Sequence, residues 1–266
     1  MRKLSVLALL LLLTTSLFAQ DREKLTDRLE ASGTVLDEIT AAPDKGIPNN
    51  ILDDAKCVAV VPSLLKGGFI FGAAYGKGYA TCRTDKGWSA PAPFDIKGGS
   101  FGFQIGGEAV DYVMVIMNER GMRALLSSKF KIGGDVSGAA GPVGRQAGAS
   151  TDWKMRAEVL TYSRARGIFA GVTLNGALIK QNKDDTRMLY GRMVPFRTIL
   201  TGRIAPPNGS EAFLGPVERC TGTAPAKPGN AAAREPNAPP AASQPAAKPR
   251  STGSKPSAYD PPHPPR

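Results

Sequence analysis

Residues 151–181 read TDWKMRAEVLTYSRARGIFAGVTLNGALIKQ. Ala157–Ser163 alternates apolar and polar side chains, and Ile168, Ala170, Val172 and Leu174 fall on one face of a second run. Alternation rich in β-branched and aromatic residues predicts half-buried strands, and a short link ending in glycine predicts a tight turn. Arg164-Ala165-Arg166-Gly167 supplies that link. The unit is therefore a β-hairpin with two arginines at its tip. Arg164 and Arg166 are two apart on extended chain, so they point the same way and form a cationic pincer suited to phosphate. The alternative is that both pair with acidic surface residues.

Working outward, Cys57–Pro62 (CVAVVP) is a continuous apolar run of buried-strand length. Ser63–Gly68 reads as a loop carrying Leu64, Leu65 and Lys66. Two leucines beside a lysine suit a loop that dips into a bilayer while the ammonium meets headgroups; the alternative is that the leucines cap the core. Phe69–Tyr75 and Tyr79–Arg83 read as strands joined by Gly76-Lys77-Gly78, and Phe94–Ile105 and Val110–Met117 as further strands. Asn118 is placed to cap a short helix. Cys57 and Cys82 lie in neighbouring predicted strands and are paired here as a disulfide, with three buried thiols as the other reading. Eighteen of the 30 glycines fall between Gly67 and Gly148. Glycine within strands marks bulges and close backbone approach. The expected fold is α+β: a strongly curved, mainly antiparallel sheet, barrel- or sandwich-like, flanked by a few helices. The small-residue run Gly133–Gly148 requires close packing by neighbouring backbone or by a ligand.

The ends differ in kind. Residues 1–19 show a basic start (Arg2, Lys3), an apolar core and a small-residue end, the pattern of a secretory signal peptide. That predicts export, to the periplasm or outside the cell. Residues 20–56 read as a helical segment, with Leu25, Leu29, Val35, Leu36 and Ile39 at roughly helical spacing and a possible break at Ala31-Ser32-Gly33. This stripe faces either the sheet or a membrane. Residues 57–220 form the folded domain. Residues 221–266 hold 12 of the 22 prolines and almost no apolar bulk, which predicts a disordered basic extension. The net charge is +11. Arg2 and Lys3 supply two of these charges and the residues after Cys220 four, so the folded part is modestly basic. That suits an anionic surface such as phospholipid and is not a nucleic-acid signature, least of all in an exported chain.

Catalytic signatures are absent from the sequence of the predicted folded part. The single histidine, His263, lies in the tail, so no Ser-His-Asp, Cys-His or histidine metal site arises there. The cysteines lack C-x-x-C spacing, and GAAYGKG (Gly72–Gly78) lacks the phosphate-loop register. Glu108, Asp111 and Glu158 are the carboxylates a hydrolase would have to use, and nothing in their spacing singles them out. The expectation is a protein that is not an enzyme and needs no cofactor.

Three stretches carry a wider pattern: KCVAVVPSLLKGGFIFGAAYGKGYATCR, then GWSAPAPFDIKGGSFGFQIGGEAVDYVMVIMNERGMRALLSSKFKIGGDVSGAAGPVGR, then MRAEVLTYSRARGIFAGVTLNGALIK with LYGR beyond it. The chain resembles the SYLF family, also called the Ysc84 actin-binding or DUF500 family, over roughly Ala55 to Arg192. The resemblance implies a lipid-binding module favouring phosphoinositides and other anionic lipids, with actin binding in eukaryotic relatives that often carry an SH3 or FYVE domain. On that basis Lys66, Arg164 and Arg166 are expected to meet phosphate and Leu64 and Leu65 to supply apolar contact. The rival expectation is a protein-interaction module, for actin or an envelope partner.

Overall fold

The computed structural model describes residues 21–38, 41, 46–68, 71–101, 106–144, 157–165, 168–172 and 174–222. The expected signal peptide, Arg166 and all but the first two residues of the tail lie outside the described residues. Residues 21–38 form helix α1. Asn49–Asp53 (α2) leads into strands β1 (Cys57–Gly68), β2 (Phe71–Thr84), β3 (Gly87–Trp88), β4 (Ala92–Phe101) and β5 (Gly106–Ile116). Helix α3 (Glu119–Leu126) precedes β6 (Lys129–Lys131), β7 (Gly138–Ala140), β8 (Val159–Ala165), β9 (Ile168–Gly171) and β10 (Leu178–Gln181). Helices α4 (Lys183–Tyr190), α5 (Phe196–Leu200) and α6 (Glu211–Cys220) follow. The strands make one curled 10-stranded sheet of order β6-β10-β4-β2-β1-β5-β8-β7, with β3 on β2 and β9 on β8. Among the described residues every pairing of strands is antiparallel except β7 with β8. The expected α+β class with a strongly curved, mainly antiparallel sheet is what is found.

The apolar run at Cys57 has no polar face because both of its faces are covered. Cys57, Ala59 and Val61 enter one core with Phe94, Ile96, Tyr112, Met114, Phe196 and Leu200. Val58 and Val60 enter a second with Leu29, Leu36, Ile51, Leu52, Phe213 and Val217. Full burial of each valine, leucine, isoleucine, phenylalanine or methionine among them contributes about 1.5–3 kcal/mol before ordering costs. The apolar stripe of α1 therefore faces the sheet. The helix runs unbroken through Ala31-Ser32-Gly33, and the glycine serves packing: a Cβ at Gly33 would lie 2.0 Å from the Ala212 carbonyl oxygen of α6. Asn118 caps α3 as expected, accepting from the Arg120 and Gly121 amides at 3.1 and 3.0 Å. The Cys57 and Cys82 sulfurs are bonded across a directly opposite pair of β1 and β2.

Two expected breaks are strands instead. Ser63–Gly68 is not a loop but the second half of β1, set off by a bulge between Val61 and Leu64, with Ser63 at φ +57°. Gly76-Lys77-Gly78 is not a turn but the middle of the 14-residue β2. These glycines admit the bulge, since a Cβ at Gly76 would lie 2.5 Å from Val61 Cγ1 and one at Gly78 2.0 Å from the Val60 carbonyl oxygen. Lys183-Asp184-Asp185 opens α4, and its Asp185 is buried. The described part of the small-residue run packs against protein. A Cβ at Gly138 would meet Ile132, and one at Gly141 would meet the Tyr162 ring.

The contrast between crowded and open glycines is measurable. Gly78→Ala is expected to lower the unfolding free energy by about 1–3 kcal/mol in a denaturant titration, because its clash is with backbone. Gly134→Ala, whose Cβ would make only ordinary contact with Lys131, is expected to stay within about 0.5 kcal/mol of the parent.

Candidate binding surface

The β8–β9 hairpin places Arg164 directly opposite Asp111 on β5. Its guanidinium pairs with Asp111 Oδ2 at 3.5 Å and with the Glu38 carboxylate at the end of α1. The side chain is only 19% exposed. Asp111 also accepts the Ser63 amide of the bulge at 2.9 Å. Around this pair lies an open cleft of about 450 Å³ whose other charged residues, Asp27, Glu30, Glu38 and Asp111, are acidic. Arg164 therefore faces carboxylates, the alternative stated from the sequence, and its surroundings are unfavourable to phosphate. Arg166, the other half of the expected pincer, lies outside the described residues.

The remaining expected contacts separate. Leu64 is fully buried in the core that holds Tyr112, so it caps the core and gives no surface contact. Lys66 Nζ sits 4.9 Å from the centroid of the Tyr112 ring. Leu65 is 59% exposed. Its partner in the ladder, Tyr75, is 41% exposed. The structure thus puts Leu64 in the core, Lys66 over the Tyr112 ring and Leu65 on the other face of β1.

That other face continues across the sheet. Directly opposite residues of neighbouring strands share a face. Tyr75 is opposite Lys97, Lys97 opposite Leu178, and Leu178 opposite Lys131. One step along, Asp95 is opposite Lys180, and Lys180 opposite Lys129. Lys97, Lys129, Lys131 and Lys180 are exposed, while Ile96, Phe94, Ile179 and Phe130 between them point into the core. None of these four lysines has an ion-pair partner among the described residues. Lys97 Nζ lies 5.4 Å from the Tyr75 ring centroid. The sequence does carry the signal: KFK and LIKQ alternate with period two, which puts lysine on one face and bulk on the other. Reading either segment alone hides that the two strands are neighbours.

The described carboxylates weighed for hydrolysis are occupied structurally. Asp111 holds the bulge and Arg164. Glu158 accepts from the Ser137 amide and from Ser137 Oγ at 2.7 Å, and pairs with Arg120 at 3.1 Å. Burial acts to raise the Glu158 pKa, but the Ser137 bonds and the Arg120 charge outweigh it and hold the carboxyl below its ordinary value. Among the described residues no three acidic, histidine or cysteine side chains are grouped to hold a metal, and no helix is long and apolar enough to cross a membrane.

A family model described as Ysc84, Las17-binding protein actin regulator, matches residues 97–220. Protein YSC84 of Saccharomyces cerevisiae is 34% identical over 175 residues, 64% of this chain and 37% of that protein. LAS seventeen-binding protein 3 of the same yeast is 35% identical over 168 residues, 62% of this chain and 36% of that protein. The SH3 domain-containing YSC84-like protein 1 of Homo sapiens is 35% identical over 178 residues, 65% of this chain and 52% of that protein. The chain thus spans about half or less of the length of these relatives.

A carboxylate with a depressed native pKa adds stability at neutral pH that is lost as pH falls through that native value. Glu158→Gln is therefore expected to flatten the acid limb of the stability curve below the ordinary glutamate range, read as urea midpoints across pH. An acid limb as steep as the parent's shows that Glu158 does not govern it.

Proposed function

Since the chain belongs to the Ysc84 family, we propose that it works by holding a protein partner and not by catalysis. The observation that carries this reading is the open lysine face of β4, β10 and β6, built on a sheet whose other surface is core. A rigid sheet fixes the spacing of the lysine backbones, so binding orders side chains but no backbone. Such a face favours an acidic partner surface and speeds encounter with it. Actin is the first partner to test, because the family model is described as an actin regulator. The leader-like pattern of residues 1–19 supports export, and an envelope protein is therefore the partner to test beside actin.

A second reading, an anionic lipid surface, is favoured by one observation: Leu65 and Tyr75 stand exposed beside Lys97, the apolar-plus-basic mixture that peripheral binding uses.

One experiment separates the two. The chain without residues 1–19 is sedimented with actin filaments, and separately with neutral and anionic vesicles, across a salt series. The protein-binding reading expects sedimentation with filaments that weakens as salt rises, and none with vesicles. Sedimentation with anionic vesicles alone supports the lipid reading. Equal binding to neutral vesicles at every salt concentration removes the charge mechanism from both.

A further inference from the structure

The exposed residues of the lysine face are in a row. Leu65 on β1, Tyr75 on β2, Lys97 on β4, Leu178 on β10 and Lys131 on β6 are successive directly opposite partners, so the row runs across the strands. Its composition is graded, with exposed Leu65 and Tyr75 at one end and lysine, a half-buried leucine and lysine at the other. Beside it, Lys180 and Lys129 stand directly opposite each other. Asp95 stands opposite Lys180 on its other side, so of this pair Lys129 is the cation with no carboxylate opposite it in the ladder, and an anion bound there offsets the repulsion between the two lysines.

We infer that this row is a docking track for an acidic amphipathic helix of a protein partner, an inference that rests on the protein-binding reading above. Charge complementarity selects acidity, and the periods of the two structures select a helix. Neighbouring strands lie about 4.8 Å apart, so the four steps from β1 to β6 span about 19 Å. A helix rising about 1.5 Å per residue covers that length in about 13 residues. Residues seven apart on a helix share a face and are separated by about 10.5 Å. Lys97 and Lys131 are two strands apart, about 9.6 Å. Glutamates seven apart on the partner thus meet the two lysines in turn, while apolar residues in the preceding turns cover Leu65 and Tyr75. A chain lying along a strand has a different repeat and meets only one of these residues at a time.

The probe is a labelled 14-residue peptide with leucines at one end of a helical stripe and two glutamates seven apart at the other. The control is a peptide of the same composition with the stripe permuted away. Binding to the chain without residues 1–19 is followed by fluorescence anisotropy. The striped peptide is expected to bind at least about tenfold more tightly than the permuted one. K97E/K131E is expected to weaken it by at least about tenfold, and a striped peptide with lysine in place of both glutamates to recover binding to that variant. L65S/Y75S is expected to weaken the parent pair by about tenfold, while K183E, off the row, leaves it unchanged. Equal binding of both peptides, no effect of K97E/K131E, or binding only to anionic vesicles overturns the inference. Filament sedimentation of K97E/K131E tells the two failures apart: sedimentation like the parent's, with no peptide preference, ends the track and keeps the protein-binding reading. Failure of the unmutated chain to sediment with filaments at any salt concentration counts against the protein-binding reading itself.

Discussion

A strand with no polar face has to be covered twice, and the rest of the molecule follows from that. β1 sends alternate residues into two separate cores. Its neighbours β2 and β5 do the same, as Tyr79 with Ala80 and Val113 with Met114 demonstrate. On one side α1, α2 and α6 supply the cover, and on the other α3 and α5 contribute Leu125, Phe196, Ile199 and Leu200. The described helices cover the middle of the sheet. At the β4-β10-β6 end the outer positions stay exposed, and lysine occupies them.

The distribution of charge follows the same division. Where α1 lies on the sheet, cations are neutralised: Arg28 and Lys77 meet buried Asp185 at 2.7 and 3.1 Å, Arg164 meets Glu38 and Asp111, and Arg219 meets Asp37 at 2.8 Å. Such pairs add little net stability, but removing one partner leaves a charge stranded. They fix where α1 sits more than how strongly it is held. Four lysines without an ion-pair partner among the described residues gather on the face of β4, β10 and β6.

Much of the fold was legible because it rests on local pattern. The hairpin of β8 and β9, the buried run at Cys57, the Asn118 cap and the curvature implied by glycine all rest on short-range physics. Gly76-Lys77-Gly78 was misread because two glycines around a lysine look alike in a turn and in a strand pressed against a bulge. Only Val60 and Val61, on the neighbouring strand, tell the cases apart. Arg164 was identified, but its role depends on Asp111 and Glu38, which lie 53 and 126 positions away in sequence. The lysine face was missed for the same reason: its members come from three strands that sequence order does not place together.

The covalent staple between β1 and β2 carries a consequence for where this protein can last. It joins residues 25 apart in sequence, and closing a loop of that size costs the unfolded chain about 3.5 kcal/mol of entropy at room temperature in the loop-closure account. That is a sizeable part of the roughly 5–15 kcal/mol that keeps a domain folded. Thiol-rich surroundings would erase this margin once the sheet opens enough to admit them, since both sulfurs are fully buried, leaving two sulfhydryls that must move apart in a sheet that opens more often. The durability of the scaffold is thus partly a property of the redox poise around it.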